Sequence, residues 1–165
     1  MSKAKSKSLS IMEMIAEAKK KHKDDADRNK AIVLGVLKAL QIREVEVDFD
    51  GSGDSGQIND VLYVRGVGKK DGESNEELDN TEIEGAEVVH STEWDGGKEE
   101  WVKMKQATLR DLIEELCYDL LEANHGGWEI NEGSFGKFRL VVKDDKIDLT
   151  FHERIESVET SEETY

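Results

Sequence analysis

Residues 108–154 constrain the fold more than any other stretch, because they join a one-faced helix to two alternating strands. Leu109, Leu112, Ile113, Leu116, Cys117, Leu120 and Leu121 recur at the i, i+3, i+4, i+7 spacing of a single apolar helix face. Arg110, Asp111, Glu114, Glu115 and Asp119 stand between them, so the apolar face must be buried. Thr108 occupies the N-cap position with Asp111 at N3. The helix then meets Asn124, His125, Gly126 and Gly127, where glycine can take the left-handed backbone that closes a helix. Beyond the stop, Phe138, Leu140 and Val142 alternate with Lys137, Arg139 and Val141. Residues 143–146 (Lys-Asp-Asp-Lys) turn the chain into Ile147, Leu149 and Phe151. The expectation is a hairpin with one face laid on the helix.

Earlier in the chain, Ser10 and Glu13 form a capping-box pattern, and residues 11–40 contain no proline and one glycine, Gly35. Ile11, Met14, Ile15 and Ala18 make one apolar stripe; Ile32, Val36, Leu37 and Leu40 make another. The polar residues 19–29 between them suggest two helical segments. From Arg43 the period changes to two, with Val45, Val47 and Phe49 set against Glu44, Glu46 and Asp48. Glycine-rich residues 51–56 follow, then Ile58, Val61, Leu62 and Val64, which reads as strand, loop, strand. Residues 87–90 and 101–104 flank Asp95, Gly96 and Gly97 and suggest a further hairpin.

The order helix, strands, helix, strands predicts an α+β domain: an antiparallel sheet of four to six strands with helices packed on one face, and a helical N-terminal extension. The expected divisions are a disordered basic tail over 1–9, a helical segment over 10–41, the α+β domain over 43–154 with an acidic insertion at 66–100, and an acidic tail over 155–165. At 165 residues a single domain is expected.

Charge narrows the function. The net charge is −15, yet residues 1–23 hold seven lysines against Glu13 and Glu17, a local +5, which leaves −20 for the rest. So acidic a body argues against direct binding of nucleic acid through phosphate neutralisation. The lone Cys117 allows no internal disulfide and fits a reducing cytoplasm. No apolar run approaches the ~20 residues of a membrane span, so no membrane partner is expected. Oligomeric state leaves no signature in the sequence.

Two clusters suggest chemistry. Asp48, Asp50 and Asp54 around the glycines resemble a calcium loop, but position 8 would be Ser55 and position 12 Asn59 in place of the bidentate glutamate. A looser cation site from Asp48, Asp50, Asp54 and Asp60 competes with a polar hairpin loop. In the cluster of His125, Trp128 and Glu129, the nearby glutamate could complete an acid/base pair with His152 or Asp119. Equally, His125 is explained as a partner of the helix dipole and Trp128 as a plug over the core. His22, His90, His125 and His152 make no sequence cluster, and no metal-ligand spacing or nucleophile elbow accompanies them.

The run Gly51-Ser52-Gly53-Asp54-Ser55-Gly56-Gln57-Ile58, with residues 116–121 (Leu-Cys-Tyr-Asp-Leu-Leu) and 125–133 (His-Gly-Gly-Trp-Glu-Ile-Asn-Glu-Gly), resembles a family of small uncharacterised proteins of bacteria, plasmids and phages. The likeness covers roughly residues 45–154 without the acidic insertion. It implies a mobile-element origin and marks Asp50, Asp54, Gln57, His125, Trp128 and Glu129 as the family-motif loop.

Residues 71–100 hold twelve carboxylates against Lys98 alone. A charge run is usually a solvated face. Read functionally, Glu76, Glu77, Asp79, Glu82 and Glu84 present carboxylates as a duplex presents phosphates. The leading expectation is therefore a non-enzymatic interaction protein, with no cofactor or metal, that docks on a basic, nucleic-acid-binding protein. One alternative is a metal-binding or hydrolytic module on Asp50, Asp54 and His125. Another is a scaffold subunit docking through its N-terminal helix.

Overall fold

A computed structural model describes residues 10–66, 75–83 and 107–165. The described elements are α1 (Ile11–Ala39), β1 (Ile42–Arg65), α2 (Asn75–Asp79), β2 (Glu82–Ile83), β3 (Ala107–Thr108), α3 (Leu109–His125), β4 (Ile130–Val141) and β5 (Lys146–Glu153). The class is mixed helix and strand. Where length suggested one domain, the chain divides into two compact units, residues 1–36 with 80–126 and residues 37–79 with 127–165. Each unit joins stretches distant in sequence, so no composition shift along the chain marks the division. Glu84, His90, the hairpin expected at 87–90 and 101–104, and the rest of the acidic insertion at 67–74 and 84–100 lie outside the described residues.

In the first unit, both helix starts are capped. Ser10 N donates to Glu13 Oε2 at 2.8 Å, and Glu13 N donates to Ser10 Oγ. Thr108 N donates to Asp111 Oδ2 at 2.9 Å while Asp111 N donates to Thr108 Oγ1, satisfying amides that the helix cannot. The short pair β2–β3, Glu82 opposite Thr108, leads into α3, and Leu109 N donates to the Thr81 carbonyl. Leu109, Leu112, Ile113, Leu116, Cys117 and Leu121 are buried as their spacing required. The expectation of two N-terminal helical segments is corrected: α1 is one helix of 29 residues. Its polar middle contains no helix breaker, and Asp25, Ala26 and Asn29 within it are buried.

The second unit holds an antiparallel sheet in the order β1-β4-β5. Among the described residues this sheet has three strands, and β2–β3 forms a separate pair. The glycine-rich segment is not a loop between two strands, as expected, but part of one 24-residue strand, β1. It stays in register with β4 from Glu44↔Val141 to Asp54↔Ile130, shifting between Gly51 and Gly53. Val45, Val47, Phe49, Phe138 and Leu140 are buried on one face. After β4 a single 3₁₀ turn, residues 142–144, and left-handed Asp145 reverse the chain.

Candidate functional site

The two glycine motifs converge on Trp128, which is 5% exposed. Its indole meets Phe49 edge to face at 5.6 Å and 87°, and Phe49 in turn contacts Phe138 and stacks on Phe151. The glycines make room for the indole. A Cβ at Gly51 would fall 2.7 Å from Trp128 Cζ3, and one at Gly56 only 2.1 Å from Cη2. At Gly133 a Cβ would lie 1.8 Å from the Gly51 carbonyl oxygen, and the residue holds φ +70°. These three positions therefore require glycine because an aromatic ring and a neighbouring backbone pass where side chains would stand. Ser134, buried opposite Gly51, donates its hydroxyl to the Trp128 carbonyl at 2.7 Å.

Arg154 closes this junction from the end of β5. Its guanidinium donates to the Gly51 carbonyl at 3.0 Å, the Ser134 carbonyl at 3.3 Å and Asp50 Oδ2 at 2.7 Å. Arg154 Cζ also lies 4.7 Å from the centre of the Phe135 ring, which stacks on His152. No sequence pattern marks Arg154, Ser134 or Phe135 as members of this junction. The only trace of Arg154 was its place as the last base before an acidic tail.

Down the solvent side of the sheet, acids and bases alternate across strands. Arg139 grips Glu44 with two bonds of 2.6 and 2.7 Å. Lys137 lies 3.2 Å from Glu46 and 3.5 Å from Asp48, and Lys146 lies 2.7 Å from Asp148. Hydrogen bonding to Glu46 and the charge of Asp48 raise the Lys137 ammonium above its ordinary value; Glu44 does the same for Arg139. The Arg139 and Lys137 pairs cross from β4 to β1 and pin register, while Lys146 and Asp148 pair along β5.

Of the proposed cation ligands, Asp48 faces Lys137 of the adjacent strand β4, and Asp50 pairs with Arg154, the residue after β5. Asp54 and Asp60 are exposed, and Gln57 donates to Asn59. Among the described residues no group of three or more His, Cys, Asp or Glu could hold a metal ion. His125 is the last residue of α3. Glu129 Oε2 is buried without a hydrogen-bond partner among the described residues. Asp119 accepts from Asn29 Nδ2 at 2.7 Å, and burial, reinforced by Glu115, Asp25 and Glu122, raises its carboxyl to about 7. Cys117 is fully buried, and burial pushes its thiol up, away from the reactive thiolate.

In the acidic set, Glu76 and Glu77 are exposed on α2 and Glu82 is exposed on β2. Asp79 differs: it is half-buried and accepts from the Tyr63 hydroxyl at 2.7 Å. No helix among the described residues is long and apolar enough to cross a membrane.

A family model described as a family of unknown function (DUF6878) matches residues 26–165. No curated protein and no solved structure matches the chain.

Proposed function

The chain belongs to that family of unknown function, and we propose that it is a non-enzymatic binding protein that docks an acidic surface on a basic protein partner. The observation that carries this reading is the division of charge. The sheet face neutralises its carboxylates with Arg139, Lys137, Lys146 and Arg154. The acidic excess of the sequence lies elsewhere: twelve carboxylates against Lys98 over residues 71–100, and four glutamates with no base over residues 155–165. Exposed Glu76, Glu77 and Glu82 belong to that excess.

Such a surface repels nucleic acid and attracts what binds nucleic acid. The partner class is therefore a cytoplasmic nucleic-acid-binding protein whose basic groove accepts carboxylates in place of phosphates. The resemblance to proteins of bacteria, plasmids and phages extends the proposal to an inhibitor or accessory subunit in mobile-element biology. The metal or hydrolytic alternative draws less support, because Asp48 and Asp50 are engaged by Lys137 and Arg154.

The test is capture on the immobilised chain at low salt, followed by elution with duplex DNA and, separately, with salt. Nucleic-acid-binding proteins released by both eluants are the expected result. Captured proteins that duplex DNA leaves in place, or that a Glu76→Gln/Glu77→Gln/Glu82→Gln variant holds equally well, would refute the reading.

A further inference from the structure

The helix face that α1 buries over its second half carries exposed apolar side chains near its start. Ala26, Asn29, Val33 and Leu37 are buried. Ile15 and Ile11, on the same side of the helix at 100° per residue, are 48% and 76% exposed, with Met14 beside them at 56%. Two independent boundaries coincide here. Among the described residues of α1 the first buried ones are Asp25 and Ala26, and the family match begins at residue 26. The N-terminal half of α1 is thus an appendage to the family domain that presents isoleucine and methionine beside Lys19, Lys20 and Lys23.

A segment of complementary character lies at the other end of the chain. After Arg154 the chain has no regular structure, and Ile155 and Val158 are 85% and 82% exposed. Between and after them come Glu156, Glu159, Glu162 and Glu163 without a base. One segment is apolar with lysines, the other apolar with glutamates, and both lie open to solvent.

We infer that residues 11–23 of one copy dock residues 155–165 of a second copy, forming a reciprocal dimer. Isoleucines and methionines of the helix take Ile155 and Val158, while the lysines face the glutamates. Charge decides among occupants. A parallel pairing of two such helices would bring Lys19, Lys20 and Lys23 against their counterparts, which is unfavourable. An anionic bilayer would attract the helix yet repel the −20 remainder of the chain. A twofold arrangement makes the contact twice and closes the assembly. Ordering the tail opposes association, so the dimer is weak and salt-sensitive. The inference stands apart from the proposed partner, whose docking rests on residues 71–100.

Sedimentation of the full chain over a concentration series at low and high salt tests it. The variants are Ile11→Gln/Ile15→Gln, which keeps good helix formers at exposed sites, and Ile155→Gln/Val158→Gln. Wild type should pass from monomer to dimer at low salt, and each variant should weaken dimerisation at least tenfold. An equimolar mixture should associate better than either variant alone, because it restores one intact helix-on-tail contact. Wild type that stays monomeric at every concentration, or a tail variant that dimerises like wild type, overturns the inference. The second outcome would assign the stripe to helix–helix pairing.

Discussion

Trp128 exposes what a single methyl group can cost. Gly56→Ala would force a Cβ into the indole ring, and overpacking of this kind costs about 1–3 kcal/mol. Gly35 is the matched control: it lies in exposed helix with nothing within 4 Å of its Cβ position, so Gly35→Ala should stabilise by roughly 0.5–1 kcal/mol. Opposite shifts in urea midpoint check the pair; equal shifts would mean the indole is not seated among the glycines. The motif itself was legible in the sequence, but its purpose was not. Glycines so close together suggest a turn, and the ring they accommodate lies more than seventy positions away. Asp119 makes a second prediction at this scale. Its carboxyl rises from an ordinary 3.8 to about 7, so between those values the folded chain keeps a proton that the unfolded chain has released. Its contribution to stability is therefore lost as pH rises from about 4 to about 7. Asp119→Asn, whose side-chain carbonyl can still accept from Asn29, should flatten that dependence and raise the melting temperature above neutral pH. Parallel pH profiles for the two proteins would contradict it.

At the scale of elements, α3 was the most readable part of the chain, because periodicity, cap and stop agree. Leu116→Ala should cost about 2–5 kcal/mol for the cavity it opens, and Thr108→Ala about 1 kcal/mol for the lost cap. Chemical denaturation checks both, and unchanged midpoints would refute the assignment of the buried face. α1 is less legible for a physical reason. Charged residues 19–29 look like an exposed break, whereas Asp25 and Asn29 are buried and Asn29 bonds Asp119 on α3. A partner ninety positions away leaves no local periodicity. β1 reads as two strands for a related reason, since a bulge and a close-packed ring both draw on the residues that also make turns. Of the candidate site, Asp50, Trp128 and the glycines do come together, but around Arg154, which no local pattern flagged.

At the scale of the whole molecule, charge divides into an internally neutralised sheet face and an acidic excess centred on residues 71–100. On the proposed function, this excess, acting as a set of carboxylates, drives association with a basic partner. Asp79 should be left intact in any test, because it holds the Tyr63 hydroxyl. The direct measurement is the association and dissociation rate of the captured partner against wild type and the Glu76→Gln/Glu77→Gln/Glu82→Gln variant, at low and high salt. Screening beyond a Debye length of ~8 Å should erase most of the difference at high salt. Slower association of the variant at low salt, a flatter salt dependence and nearly unchanged dissociation are the expected results. Wild-type association rates in the variant at low salt would contradict the proposed function.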